Sequence, residues 1–233
     1  MRLVCFPYAG GTASLFYPWE TIFPADIQVC PVELPGRTGR IGEPMPASIS
    51  ELADRIIEEA LLYFDRPICL FGHSLGALIA FELSRTMRQR EMPAPHRLFI
   101  SACRAPQIPY KRPPIHHLDD PEFLQAVGKL NGTPSEVLMH QELLRILLPA
   151  LRADFRLAET YRYVPAPPLS CAISAIGGDE DEFITRGDLV AWHSQTTGPF
   201  NFRMVSGKHF FLQSQGSSIA RLVAQALSER PPI

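Results

Sequence analysis

Short apolar runs alternate with longer stretches of mixed polarity through most of this chain. Residues 2–6, 27–33, 67–71, 97–102, 169–176 and 201–205 read as strands. Leu3 to Phe6 and Ile68 to Phe71 are unbroken apolar runs, the pattern of strands covered on both faces. Between the runs lie helix-like stretches at about 12–22, 50–64, 75–90, 186–194 and 217–229. In the second of these, Leu52, Ile56, Leu61 and Phe64 recur with carboxylates between them, as on an amphipathic helix. The stretch 75–90 is apolar on nearly all sides at first and then carries Arg85, Arg88 and Arg90. Cations late in a helix suit its negative C-terminal end. Strands that alternate with helices predict an α/β fold: a mostly parallel central sheet with helices on both faces.

The rhythm breaks between residues 104 and 168. Arg104-Ala105-Pro106-Gln107-Ile108-Pro109 is a proline-rich connector. Asp119-Asp120-Pro121-Glu122 has the form of a capped helix start with proline near its first position. Phe123, Leu124, Val127 and Leu130 give that helix an apolar face, and Asn131-Gly132-Thr133-Pro134 ends it. A leucine-rich stretch from Val137 to Tyr163 follows, interrupted by Pro149 and closed by Pro165-Ala166-Pro167-Pro168. The segment contributes no strand, so it reads as a helical lid, residues 104–168, inserted into one domain that spans 1–233. The plainer alternative is that its helices simply add to the core.

Composition narrows the class. Hydrophobic residues make up 46% and charged residues 20% of the 233 positions, enough for a sizeable core. A net charge of −2 lacks the basic excess of a nucleic-acid binder. No apolar stretch is long enough to span a bilayer, so no membrane association is expected. Strand-like residues begin at Leu3, which leaves no room for a secretory signal. The five cysteines, Cys5, Cys30, Cys69, Cys103 and Cys171, are odd in number, scattered, and without a C-x-x-C pair. Buried reduced thiols and a cytoplasmic location are the expectation.

The chemistry is concentrated at Gly72-His73-Ser74-Leu75-Gly76. This G-x-S-x-G lies between the apolar run Ile68–Phe71 and the helix-like Ala77–Leu83, the strand–turn–helix setting of a nucleophile elbow. The two glycines let strand and helix backbones meet. The turn exposes the Ser74 hydroxyl and directs the Leu75 N–H to where an oxyanion would form. A plain glycine-rich turn is the bland alternative.

A serine needs a base, and the base needs an orienting acid. Elbow sites carry these in the order Ser, acid, His. Gly177-Gly178-Asp179-Glu180-Asp181-Glu182 follows the fifth strand, and Ser206-Gly207-Lys208-His209 follows the last. Both fall at the carboxyl ends of parallel strands, where sites in open α/β sheets form. His209 is the base by its place in this order. His73 suits packing beside the nucleophile, and adjacent His116-His117 are poorly placed to share a metal. Asp181 is the first choice of acid and Asp179 the second. The second oxyanion donor belongs on a loop after an early strand. Phe6-Pro7-Tyr8-Ala9-Gly10-Gly11 fits, with an N–H near Ala9 pointing inward.

Four segments together resemble the stand-alone type II thioesterases that serve polyketide and nonribosomal peptide synthetases. They are Phe6-Pro7-Tyr8-Ala9-Gly10-Gly11, Leu34-Pro35-Gly36-Arg37, Gly72-His73-Ser74-Leu75-Gly76 and Leu148-Pro149-Ala150-Leu151-Arg152-Ala153-Asp154-Phe155; Gly207-Lys208-His209-Phe210-Phe211 is also similar. The resemblance runs from about residue 2 to 227. It differs at Thr38-Gly39, where the family often has an acidic residue, and at Lys208, where it often has glycine.

The resemblance implies an α/β-hydrolase fold with a mobile helical lid. The implied activity is hydrolysis of acyl thioesters from the phosphopantetheine arm of an acyl or peptidyl carrier protein, which clears stalled or misprimed chains. Ser74 would be nucleophile, Asp181 acid and His209 base, with the N–H groups of Ala9 and Leu75 as oxyanion hole. No metal or redox cofactor is expected, and a monomer is the default. Phe123, Leu124 and Leu147 are candidate acyl-pocket walls, and Arg104, Lys111 and Arg112 candidate contacts for an acidic carrier. Two other readings are a free-standing acyl-CoA hydrolase or esterase, and a non-catalytic binding protein on the same fold.

Overall fold

The computed structural model describes residues 1–130, 132 and 140–228. Six strands form one sheet: β1 (Arg2–Phe6), β2 (Gln28–Pro31), β3 (Ile68–His73), β4 (Arg97–Ser101), β5 (Ala172–Gly178) and β6 (Phe200–Val205). Their order is β2-β1-β3-β4-β5-β6, and every pairing is parallel. Among the described residues the α-helices are α1 (Ile49–Ala60), α2 (Leu75–Gln89), α3 (Asp120–Lys129), α4 (Gln141–Thr160), α5 (Arg186–Val190) and α6 (Phe211–Ser228).

Alternate residues of a strand face opposite sides of the sheet, and both sides are covered. From β1 and β3, Val4, Phe6 and Leu70 pack with Leu52, Ile56, Leu78 and Phe81 of α1 and α2. Their neighbours Leu3, Cys5, Cys69 and Phe71 pack on the other side with Phe16, Trp19, Phe211 and Ile219. This is why the strand sequences are unbroken apolar runs rather than alternating ones. After β1 the chain moves one way to β2 and then returns past β1 to β3. The carboxyl ends of β1 and β3 therefore flank the reversal of strand order, where a ligand crevice forms.

Several boundaries differ from expectation. Residues 13–21 form a 3-10 helix with Pro18 inside it. The stretch 50–64 divides into α1 and a 3-10 turn, Leu61–Phe64. The fifth strand begins at Ala172; Leu169 makes only an isolated bridge to Thr196. The last helix starts at Phe211 and is broken at Gln215, where φ is −120°; Glu229, the end of its expected range, lies outside the described residues. Helix α4 runs through Pro149 rather than stopping there. Proline costs a helix one hydrogen bond and a local clash, and this twenty-residue helix absorbs both. Residues 137–139 of the expected helix, and Asn131, Thr133 and Pro134 of the expected stop, also lie outside the described residues.

Helices α3 and α4 occupy the connection from β4 to β5. Asp119 caps α3 by accepting the Glu122 N–H at 2.9 Å. Phe123 and Val127 of α3 and Leu151 of α4 form a small cluster of their own, while Leu157 of α4 joins the main core. Cys5, Cys69, Cys103 and Cys171 are buried, Cys30 is half-buried, and all five are free thiols. Among the described residues no helix is long and apolar enough to cross a membrane.

Candidate active site

Strand β3 and helix α2 meet at Ser74 through a turn that only glycines permit. A Cβ on Gly72 would lie 2.1 Å from the Gly76 carbonyl oxygen, and one on Gly76 would lie 2.2 Å from that of Phe6. Ser74 itself takes φ +55° and ψ −113°, a conformation that is strained for a residue with a side chain. Its N–H donates to the Ser101 carbonyl at 2.8 Å, so β4 holds the strained residue in place.

Three separate stretches converge here. His209 Nε2 lies 3.0 Å from Ser74 Oγ, and His209 Nδ1 lies 2.8 Å from Asp181 Oδ2. Asp181 has no exposed side-chain surface, and its Oδ1 accepts the N–H groups of Phe183 at 2.8 Å and Ile184 at 3.1 Å. A buried carboxylate with these partners can only accept. That assigns the proton to Nδ1 and leaves Nε2 to accept from the serine hydroxyl. Asp179 is turned elsewhere: its Oδ1 accepts the Gly207 N–H at 2.9 Å, which ties down the turn that carries His209.

His73 is fully buried and bonded at both nitrogens. Nε2 donates to the His209 carbonyl oxygen at 2.9 Å, and Nδ1 faces Ser101 Oγ at 2.9 Å. Since a carbonyl only accepts, the Ser101 hydroxyl is the donor to Nδ1. Burial, with His209 nearby, lowers the His73 pKa from 6.5 to about 3. The unfolded chain therefore binds a proton below 6.5 that the folded chain refuses until about 3. His73 gives its full contribution above 6.5, and that contribution shrinks by about 1.4 kcal/mol per pH unit as pH falls through the window. We expect denaturant titrations at pH 7, 6, 5 and 4 to show a shallower acid slope for His73→Gln than for the parent. An unchanged slope would remove His73 as its cause.

An apolar cavity of about 110 Å³ opens beside Ser74, and Ala9, Leu75 and His209 line it. Its walls are Leu78, Tyr110, Leu130, Phe155, Ala158 and Phe183. These are not the walls expected from sequence. Phe123 is consumed in the α3–α4 cluster, Leu147 lines a separate depression beside Gly10 and Gly11, and Leu124 does not reach the cavity. Arg104, Lys111 and Arg112 do line it. Arg104 stacks on Tyr110 at 4.8 Å and Arg112 on Phe183 at 4.3 Å, while Lys111 Nζ is 3.1 Å from Asp188 Oδ1. His116 is engaged with Glu159, Nδ1 to Oε2 2.5 Å.

Tyr8, Ala9, Gly10 and Gly11 form a turn closed by the Gly11 N–H on the Tyr8 carbonyl at 2.8 Å. Gly10, at φ +77°, has the third-position geometry of a type II turn. The turn abuts the elbow, as the Phe6–Gly76 approach shows. Ala9, Leu75 and Ser74 thus line the same cavity.

A parallel sheet covered on both faces, with serine, histidine and aspartate hydrogen-bonded in series at its carboxyl edge, has the architecture of an α/β hydrolase. The chain belongs to the thioesterase domain family, which it matches over residues 1–227, and it is a thioester hydrolase. It is 44% identical over 212 residues to the gramicidin S biosynthesis protein GrsT of Aneurinibacillus migulanus, covering 91% of this chain and 83% of that one. Among solved structures it is similar to RedJ, a thioesterase from the prodiginine pathway of Streptomyces coelicolor (37% identity, TM-score 0.87, 98% of this chain and 85% of that one). It is likewise similar to BorB, the type II thioesterase from the borrelidin biosynthetic cluster (34% identity, TM-score 0.86, 97% and 91%).

Proposed function

We propose that the protein removes acyl groups from the phosphopantetheine arm of acyl or peptidyl carrier proteins, and so clears stalled or misprimed polyketide or nonribosomal peptide synthetases. The observation that carries this reading is the bonded series Ser74–His209–Asp181, whose Ser74 and His209 line an apolar cavity. The type II thioesterase and biosynthetic relatives support the choice of substrate.

His209 takes the Ser74 proton as Oγ attacks the thioester carbonyl, and Asp181 stabilises the imidazolium that forms. The N–H groups of Ala9 and Leu75 hold the oxyanion, a contribution of about 3–4 kcal/mol per donor in comparable sites. The C–S bond then breaks, and the thiol leaves with the proton from His209. His209 next deprotonates a water, which attacks the acyl-serine; the carboxylic acid departs and the proton returns to Ser74. Residues 104–168 act as a lid over this chemistry, an assignment supported by the cavity walls Tyr110, Leu130, Phe155 and Ala158, all of which come from that segment. Five free thiols support a reducing cytoplasm.

The triad treats esters and thioesters alike, because both pass through the same oxyanion. Substrate choice must therefore come from the cavity and from Arg104, Lys111 and Arg112, which line it. We expect kcat/KM for an acetylated carrier protein to exceed that for acetyl-CoA and for a simple acetate ester by about tenfold or more, roughly 1.4 kcal/mol of added transition-state binding. Equal values on all three would favour a free-standing hydrolase.

A further inference from the structure

Two of the segments that set this sequence apart, Leu34–Arg37 and Leu148–Phe155, contribute nothing to the bonded series at Ser74. The structure gives both a common task. Asp154, on α4, is 1% exposed and Arg37 is 2% exposed. The Asp154 Oδ2 accepts the Gly10 N–H at 2.7 Å and also pairs with Arg37 Nη2. Arg37 Nε donates to the Gly11 carbonyl at 2.7 Å, and Nη1 donates to the Pro35 carbonyl at 2.9 Å. One buried ion pair therefore grips the amide before Gly10 and the carbonyl after Gly11. These are the central peptide and the last carbonyl of the turn that presents Ala9.

The packing agrees. A Cβ on Gly10 would lie 2.7 Å from Leu151 Cδ1, so α4 is seated directly on the turn. Burial raises the Asp154 pKa, while Arg37 and the Gly10 N–H oppose that rise. Each charge would be costly here without the other. Asp154 and Arg37 do not touch the cavity beside Ser74, so neither is placed to meet the acyl group.

We infer that Asp154 and Arg37 are positioning residues for catalysis: together they hold the Tyr8–Gly11 turn so that the Ala9 N–H stays aimed at the developing oxyanion, and they anchor the α4 end of the inserted segment to that turn. The inference rests on the reading of Ala9 as an oxyanion donor. An oxyanion donor acts on the transition state more than on bound substrate. Loosening it lowers kcat and leaves KM nearly untouched.

The test uses the full chain and acetyl-N-acetylcysteamine as substrate. Asp154→Asn keeps an acceptor for Gly10 but strands Arg37. Arg37→Met removes the grip on Gly11. In each, kcat should fall by roughly 100-fold, with KM within about threefold of the parent. Labelling of Ser74 by a fluorophosphonate should slow in parallel, and Arg37→Lys should restore part of kcat. If the single variants do not fold, the double variant Arg37→Met/Asp154→Leu replaces the pair by apolar groups, and the same split is expected. The parent supplies a third readout. The Gly10 amide should exchange with solvent as slowly as the amides of β3. A folded variant with near-parental kcat, a loss carried by KM alone, or a fast-exchanging Gly10 amide each overturns the inference. A Ser74→Ala protein that still turns over would instead overturn the catalytic reading beneath it, so the two failures are distinguishable.

Discussion

Ser74→Ala should abolish turnover while leaving the fold intact, with kcat reduced by roughly a million-fold, as when the nucleophile of a preorganised serine site is deleted. The expectation has two structural grounds. The His209 ring would keep its Asp181 bond, yet no nucleophile would remain at its Nε2. Alanine at position 74 would still have to adopt φ +55°, which serine already does with a Cβ of its own, so the substitution adds no backbone strain. Release of free thiol from an acylated carrier, followed with a thiol reagent, measures the loss. Circular dichroism shows whether the fold survives. Turnover within tenfold of the parent would remove Ser74 as nucleophile.

The second large effect is expected from Asp181→Asn, at about ten-thousandfold in kcat. The cause lies in the partners of the carboxylate. Its Oδ1 is committed to the N–H groups of Phe183 and Ile184. An asparagine must keep its carbonyl oxygen there, which turns its NH2 toward His209. Nδ1 would then have to accept, the ring proton would move to Nε2, and His209 could no longer take the serine proton. Asp179→Asn is the matched control. Its contact is a single Gly207 N–H, which an amide oxygen also satisfies, so kcat should stay within about threefold of the parent. Comparable losses in both variants would mean that the two carboxylates share the role.

Much of this arrangement was legible in the sequence because it depends on short-range pattern. Strands buried on both faces must be apolar at every position, and Ile68–Phe71 is. An elbow with backbone contacts near 2 Å to any added Cβ must be glycine at both flanks, so Gly72 and Gly76 stand out against any background. His209 followed from chain order. Asp179 and Asp181 could not be separated that way. Both sit just past β5, and which one reaches the imidazole depends on a turn in which the Asp181 side chain caps its own following amides. The cavity walls are not legible in the sequence, because Phe123 and Phe155 carry the same local signal and only the packing of α3 and α4 decides that Phe123 lies within their cluster while Phe155 reaches the cavity. The passage of helix α4 through Pro149 is hidden for a similar reason. A proline predicts a stop locally, and packing on α2 and on the Tyr8–Gly11 turn outweighs it. The sequence places His73 beside the nucleophile and marks the segments that hold Arg37 and Asp154, but the partners of all three lie far away in the chain and carry no local signal.

Four of the six cavity walls, Tyr110, Leu130, Phe155 and Ala158, come from the connection between β4 and β5, whereas Ser74, Asp181 and His209 come from sheet loops outside it. Those four walls and the three bonded groups thus lie on different pieces of polypeptide, and only Leu78 and Phe183 among the walls share an element or loop with a bonded group. A mutant library confined to those four wall positions can be screened for longer or branched acids with the reacting groups left alone, provided the Asp154 anchor is kept.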